Sequence, residues 1–283
     1  MFQNGQKVVV VSSGDERRVI KVQSASGTPD PSRYPIVDTT GVSGRDQSVQ
    51  IVSGGDPPRF PILRGVSDAR ATADSVITAL TPAAWYRNAT GVTSAGGFAS
   101  QWDDYSGNAR HLKQTTGTNQ PAYAAGVFTF DGADNFMVAS SWSMAQPVTY
   151  YLVGKQITWT NADSLVDGTT NETGLSLQLN ASPSMFIYSG SAVADNTNWA
   201  VGASGILCAV FNGASSSLRI NNTAKTTGNP GALAMGGVTL GSRANASFPA
   251  HMEAWELVVF NAAHSDAEQN SVITALNNAL TVF

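Results

Sequence analysis

Residues 101–136 read QWDDYSGNARHLKQTTGTNQPAYAAGVFTFDGADNF, and this stretch decides the fold. Trp102 leads into Asp103, Asp104, Tyr105, Ser106, Gly107 and Asn108, an Asx- and Gly-rich turn set beside two large rings. A short run, His111 to Gln114, follows and is stopped by Pro121. Val127-Phe128-Thr129-Phe130 then reads as a β-branched and aromatic strand ending on the turn pair Asp131-Gly132. Phe136-Met137-Val138 resumes the sheet, and nothing in the stretch has helical spacing.

Downstream the same grammar repeats. Residues 147–157 (PVTYYLVGKQI) form a long aromatic strand. Residues 174–180 alternate, with Leu175, Leu177 and Leu179 on one face and Ser176 and Gln178 on the other. That pattern predicts a half-buried antiparallel strand, with Met185 to Tyr188 as its partner. Ile206 to Phe211 runs into Asn212-Gly213, and Leu218-Arg219-Ile220 runs into Asn221-Asn222. Residues 238–242 (VTLGS) and 253–261 (EAWELVVFN) supply two further strands. Ser265 and Glu268 form an S-x-x-E capping box, and Val272, Ile273, Leu276 and Leu280 make the buried stripe of a closing helix.

Trp102, Asp104, Ser106, Gly107 and Asn108, followed by Phe130-Asp131-Gly132, resemble the early turn and strand end of the laminin-G-like, concanavalin A-like jelly-roll family. The tandem around Asn212-Gly213, the Leu240-Gly241 strand end and the 253–261 strand are similar to that family's later strands, over about 81–280 of this chain. One departure is Met252, where relatives generally have Gly. The resemblance implies an all-β antiparallel sandwich (jelly roll), preceded here by a small N-terminal β module and a linker helix and closed by a C-terminal helix. It also implies a lectin-like role. Many such domains hold Ca²⁺ at a rim, for which Asp163 and Asp167 with Asn161, or Asp195 with Asn196, are the candidate oxygen donors. The residues alone assign no ligand set, so the expectation is no cofactor, with Ca²⁺ as the open alternative.

The organisation read from the chain is a β module over 1–65, a helical linker over 66–80 and the jelly roll over 81–283. In the first module Val11, Ser12, Gly14, Asp15 and Arg18 recur as Val52, Ser53, Gly55, Asp56 and Arg59, which reads as a degenerate duplication of a β-hairpin. A module of that size buries little, so oligomerisation (a trimer is one option) or docking to a larger body should steady it. Residues 67–80 carry Ala73, Val76, Ile77 and Leu80 at helical spacing and end at Pro82.

Charged residues make up 13% of the 283, low for a globular protein and consistent with a polar, uncharged, turn-rich surface. The net charge of −4 divides into +2 over 1–65 and −6 over 66–283, neither strong enough to argue for nucleic acid or an anionic membrane. Cys208 is the only cysteine, so no intrachain disulfide forms, and its apolar strand makes it inert core. Val8 to Val11 is too short an apolar run for a signal-peptide core, so the expectation is synthesis in a cytoplasm without export.

Catalysis of the kind the resemblance implies needs paired carboxylates on one face. Glu253 and Glu256 stand three apart on a strand and point to opposite faces, so they cannot share a site. His111, His251 and His264 have no metal spacing, and no G-x-S-x-G elbow occurs. The expectation is therefore a non-enzymatic protein. Sugar binding calls for exposed rings beside amides and carboxylates. The candidates are Trp159 with Asn161 and Asp163, Trp199 with Asn196 and Asn198, and Arg243 with Asn245, while Trp85, Trp102 and Trp255 sit in core-like patterns. A glycan-binding type of fold made without an export segment needs another way out of the cell, and host lysis supplies one. The expected role is thus a bacteriophage virion protein of fibre, spike or decoration type. Residues 1–65 would dock to other virion proteins, and the lectin-like domain would face host-surface glycans. The alternatives are a polysaccharide-degrading enzyme of the same fold and a purely structural decoration protein.

Overall fold

The computed structural model describes residues 6–13, 16–23 and 68–283. The chain divides into two compact units, Met1–Thr72 and Ala73–Phe283. In the first, β1 (Gln6–Ser13) and β2 (Glu16–Gln23) form an antiparallel hairpin in which Val9 pairs with Ile20 and Val10 with Val19. The second copy of the duplication, at 49–63, lies outside the described residues, as does most of the expected anchoring module.

The second unit is an antiparallel sandwich. After α1 (Ala69–Ala79), its strands are β3 (Ala84–Tyr86), β4 (Val92–Ala95), β5 (Phe98–Trp102), β6 (Leu112–Lys113), β7 (Ala122–Ala124), β8 (Val127–Asp131) and β9 (Met137–Ala139). The long β10 (Val148–Gln156) is followed by β11 (Ser164–Asp167), β12 (Leu175–Gln178), β13 (Met185–Tyr188) and β14 (Ala192–Asn196). Then come β15 (Ser204–Phe211), β16 (Ser216–Ile220), β17 (Thr226–Gly228), β18 (Thr239–Leu240), β19 (His251–Phe260) and α2 (Asp266–Leu280).

Ladder pairing arranges the strands in two layers, joined at one edge by β7, which pairs with both β5 and β8. One runs β17-β16-β15-β10-β19 with β3 and β8 on its edge. The other runs β5-β6-β9-β18-β11-β12-β13-β14. Alternation along β10 explains why both faces of the first layer are apolar. Tyr150 and Leu152 point between the layers, while Tyr151 and Val153 point outward with Cys208, Val258 and Phe260. That outer face is roofed by Ile77 of α1 and by Val272, Ile273 and Leu276 of α2. The cap of α2 is complete: Ser265 N–H donates to Glu268 Oε2 at 2.7 Å, and Glu268 N–H to Ser265 Oγ at 3.4 Å.

The quoted stretch forms the heart of the inner core. Trp102 is fully buried and stacks on Phe128 at 4.1 Å between centroids. The Asp104 carboxylate accepts N–H bonds from Trp85, Ser106 and Arg110 at 2.9–3.0 Å and thereby nails the turn to β3. Met252 packs into the same core, opposite Phe130 on β8.

β12 departs from the half-buried expectation. All four of its residues are buried, and Ser176 and Gln178 pair across the ladder with Ile187 and Met185 of the inner core. The leucines instead form a separate cluster with Phe186 on the opposite face. Gln178 is accommodated inside because its amide is fully used. Its Nε2 donates to Gln156 Oε1 at 2.7 Å and to the Thr158 carbonyl at 2.9 Å, and its Oε1 accepts from Thr160 N–H at 2.7 Å. Among the described residues no helix is long and apolar enough to cross a membrane.

Candidate functional site

The candidate site is the ring of loops around the short strand β11. Its foundation is Asp167, which is fully buried at the end of that strand. Its Oδ1 accepts N–H bonds from Gly168 at 2.8 Å and Thr173 at 3.1 Å, and its Oδ2 from Glu172 at 2.9 Å and Ala244 at 3.1 Å. Burial pushes this carboxyl's pKa up against the pull of those four donors, which favour the ionised form. One side chain thus closes the 168–173 loop on itself and ties it to the loop after β18.

The loop from Gly241 to Ala250 then runs along β11. Gly241 N–H donates to the Leu165 carbonyl at 2.8 Å, and Ser164 N–H to the Phe248 carbonyl at 2.9 Å. Between those anchors Arg243 ion-pairs with Glu172, and its guanidinium lies 4.2 Å from the centroid of the Phe248 ring. On the other side Gln178 holds the 157–163 loop, and Asn161 Oδ1 accepts from Asn180 N–H at 2.9 Å. Ala162, Glu172, Asn180, Ala246 and Phe248, all in these loops, adopt positive φ. Side-chain-bearing residues rarely do so, and six further non-glycine residues elsewhere among the described residues share the conformation.

Asp163 sits at the start of β11, 8% exposed, and burial raises its pKa to about 6. Because the folded-state value lies above the ordinary one, the charged carboxylate burdens the fold above about pH 6, and that burden vanishes below about pH 4. Asp163→Asn is therefore expected to stabilise the protein at pH 8 by about 1–3 kcal/mol, with the gain gone near pH 4. Urea melts of both proteins at the two pH values check it, and a pH-independent difference would contradict the assignment.

The structure divides the residues singled out from sequence. Trp159, Asn161, Asp163, Arg243 and Asn245 all lie on the loops around β11. Trp159 is half-buried with its indole N–H toward the Ser184 carbonyl at 3.3 Å, and Asn245 is exposed with its Oδ1 accepting from Ser247 N–H at 3.2 Å. Trp199 and Asn196 do not join them. Trp199 is 1% exposed, lies against Gly205 and donates to the Ala203 carbonyl at 3.0 Å. Asn196 is 2% exposed, its Oδ1 accepting from Asn198 N–H at 3.0 Å. Both are buried because Asn196 closes strand β14 beside Leu218 and Thr226, and Trp199 packs against the start of β15. Glu172 and Phe248 were missed. The signal for Phe248 was an aromatic among Asn, Ser and Pro in residues 243–250 (RANASFPA).

Of the calcium candidates, Asp167 already accepts four backbone N–H bonds and Asn161 Oδ1 accepts one from Asn180, while the Asp195 side chain lies outside the described residues. Among the described residues no group of three or more His, Cys, Asp or Glu could hold a metal ion. Nor do Glu253 and Glu256 converge. Glu253 pairs with Lys155 at 3.0 Å, while Glu256 is fully buried and accepts from Trp85 Nε1–H at 2.7 Å.

No protein-family description and no curated protein matches the chain. Solved structures do. Trypanosoma rangeli sialidase in complex with sialic acid matches with a TM-score of 0.52 at 11% identity, over 74% of this chain and 38% of that one. An arabinofuranosidase complexed with arabinofuranosyl-alpha-1,2-xylobiose matches with a TM-score of 0.52 at 15% identity, over 64% of this chain and 51% of that one. A GH54 α-L-arabinofuranosidase soaked with a cyclic sulfate inhibitor matches with a TM-score of 0.50 at 16% identity. The chain thus spans 38% of the sialidase and 51% of the arabinofuranosidase. These likenesses show a shared fold. They also overturn the expectation of a non-enzymatic chain, because the matching structures named here are glycosidases.

Proposed function

We propose that this chain is a carbohydrate-active β-sandwich that engages a glycan at the loops around β11 and takes part in glycoside processing. The observation that carries the reading is the likeness of up to three quarters of the chain to the sialidase and the arabinofuranosidase. The loop chemistry fits it: Asn245 and Asn161 offer amides, Trp159 and Phe248 offer rings, and Arg243 and Glu172 form a buttressed ion pair. Asp163 is the carboxyl there whose raised pKa suits proton transfer near neutrality. A glycan array together with reducing-sugar release from bacterial capsule and lipopolysaccharide tests the proposal. Binding by the wild-type chain is expected, with Asp163→Asn retaining binding and losing any turnover. A blank array with no sugar release would sink the reading.

The laminin-G-like, concanavalin A-like ancestry of residues 81–280 is part of the same proposal, supported by the order of the Trp102 to Asn108 turn and the Phe130-Asp131-Gly132 strand end. The setting we propose is a virion, with residues 1–65 making homo-oligomeric or virion contacts. The duplicated hairpin sequence supports an assembly role, because so small a module gains most from a partner. Copurification with assembled particles is the expected result, and recovery only as free protein would refute the setting.

A further inference from the structure

Phe248 is an exposed aromatic that the fold takes trouble to hold still. Its residue is 44% exposed, yet its backbone sits at φ +52°, a conformation that bulky side chains avoid. Ser164 N–H fixes its carbonyl, and the following Pro249 bridges to Ser164 as an isolated β pair. The preceding turn is closed by Arg243 N–H to the Ser247 carbonyl at 3.0 Å and Ala246 N–H to the Arg243 carbonyl at 2.9 Å. Arg243 covers one face of the ring at 4.2 Å and is itself braced by Glu172. The ring is therefore held against Arg243 while 44% of the residue stays exposed to solvent.

Resting on the carbohydrate reading above, we propose that Phe248 is the stacking platform of the site. Its ligand class is a pyranose that presents a continuous patch of axial C–H groups, namely a β-linked glucosyl or galactosyl unit. The physical reason is complementarity: C–H bonds polarised by neighbouring hydroxyls meet the negative face of an aromatic ring. Asn245, exposed and three residues away on the same turn, has its Oδ1 taken by Ser247, so its amide N–H groups are the ones to donate to hydroxyls of a stacked sugar. Because the ring is already immobilised by its backbone and by Arg243, docking a sugar freezes little further motion. This distinguishes Phe248 from Trp159, whose indole is half-buried and hydrogen-bonded to Ser184.

The test is an array of β-glucosyl, β-galactosyl and α-mannosyl oligosaccharides probed with the full chain, with titration calorimetry on the best binder. Wild type is expected to bind a β-glucosyl or β-galactosyl probe. Phe248→Ala should weaken that binding at least tenfold, and Phe248→Trp should hold it within about threefold, with unchanged far-ultraviolet circular dichroism for both. Wild-type binding that Phe248→Ala leaves intact overturns the platform while the carbohydrate reading stands. Binding confined to α-mannosyl probes overturns the ligand class, and a wild-type chain that binds nothing overturns both proposals.

Discussion

Asp167→Ala should destabilise the protein by about 3–5 kcal/mol and dismantle the loops around β11. The carboxylate is fully buried and accepts four backbone N–H bonds, from Gly168, Glu172, Thr173 and Ala244. Each donor left unpaired in a dry site costs about 1–3 kcal/mol, and the loops can recover part of that by opening to water. Opening, however, releases the 241–250 segment from β11 and with it Arg243 and Phe248. Glycan binding should fall together with stability, whereas Asp167→Asn, which keeps one acceptor oxygen, should cost about half as much. Equilibrium urea unfolding and hydrogen exchange at residues 168–173 and 241–250 measure both effects. A loss under 1 kcal/mol, with those amides still protected, would mean the four bonds do not organise the site.

Trp102→Ala carries the other large effect, about 3–5 kcal/mol from the cavity left in the inner core. The indole is fully buried and stacked on Phe128, with Tyr86 tilted against it at 5.9 Å between centroids. Its Nε1–H donates to the Arg87 carbonyl at 3.0 Å, so the substitution also removes one donor from a carbonyl that keeps Thr90 N–H at 3.2 Å. Trp102→Phe keeps the stack and loses the hydrogen bond, and is expected to cost about 1–2 kcal/mol. If both variants unfold at the wild-type urea midpoint, the turn beginning at Trp102 is not the keystone of the sandwich.

The alternation and turn pairs of the sequence made most strands legible, because those signals are local. Asp131-Gly132 and Asn212-Gly213 contain glycines at φ +74° and +52°, conformations that reward glycine wherever the chain goes next. The capping box at Ser265 and Glu268 is likewise settled within one helical turn. The site was legible only in part. Asn161, Asp163, Arg243 and Asn245 could be picked from polar loop contexts, but polarity does not say whether a loop faces water. Trp199 and Asn196 stood in the same kind of context and are buried.

Most antiparallel strands, the closing helix and the turn at residues 102–108 are readable from the chain, because each follows from periodicity, left-handed backbone positions or caps within a few residues. The sandwich is what the family resemblance implied. Long-range packing alone sets that Gln178 turns inward, that Asp167 gathers donors up to 77 residues away, and that Phe248 is held 44% exposed. The reason is physical. A buried polar group or a strained exposed ring is tolerated only when partners from distant segments satisfy and brace it, and no local pattern records where those partners will be.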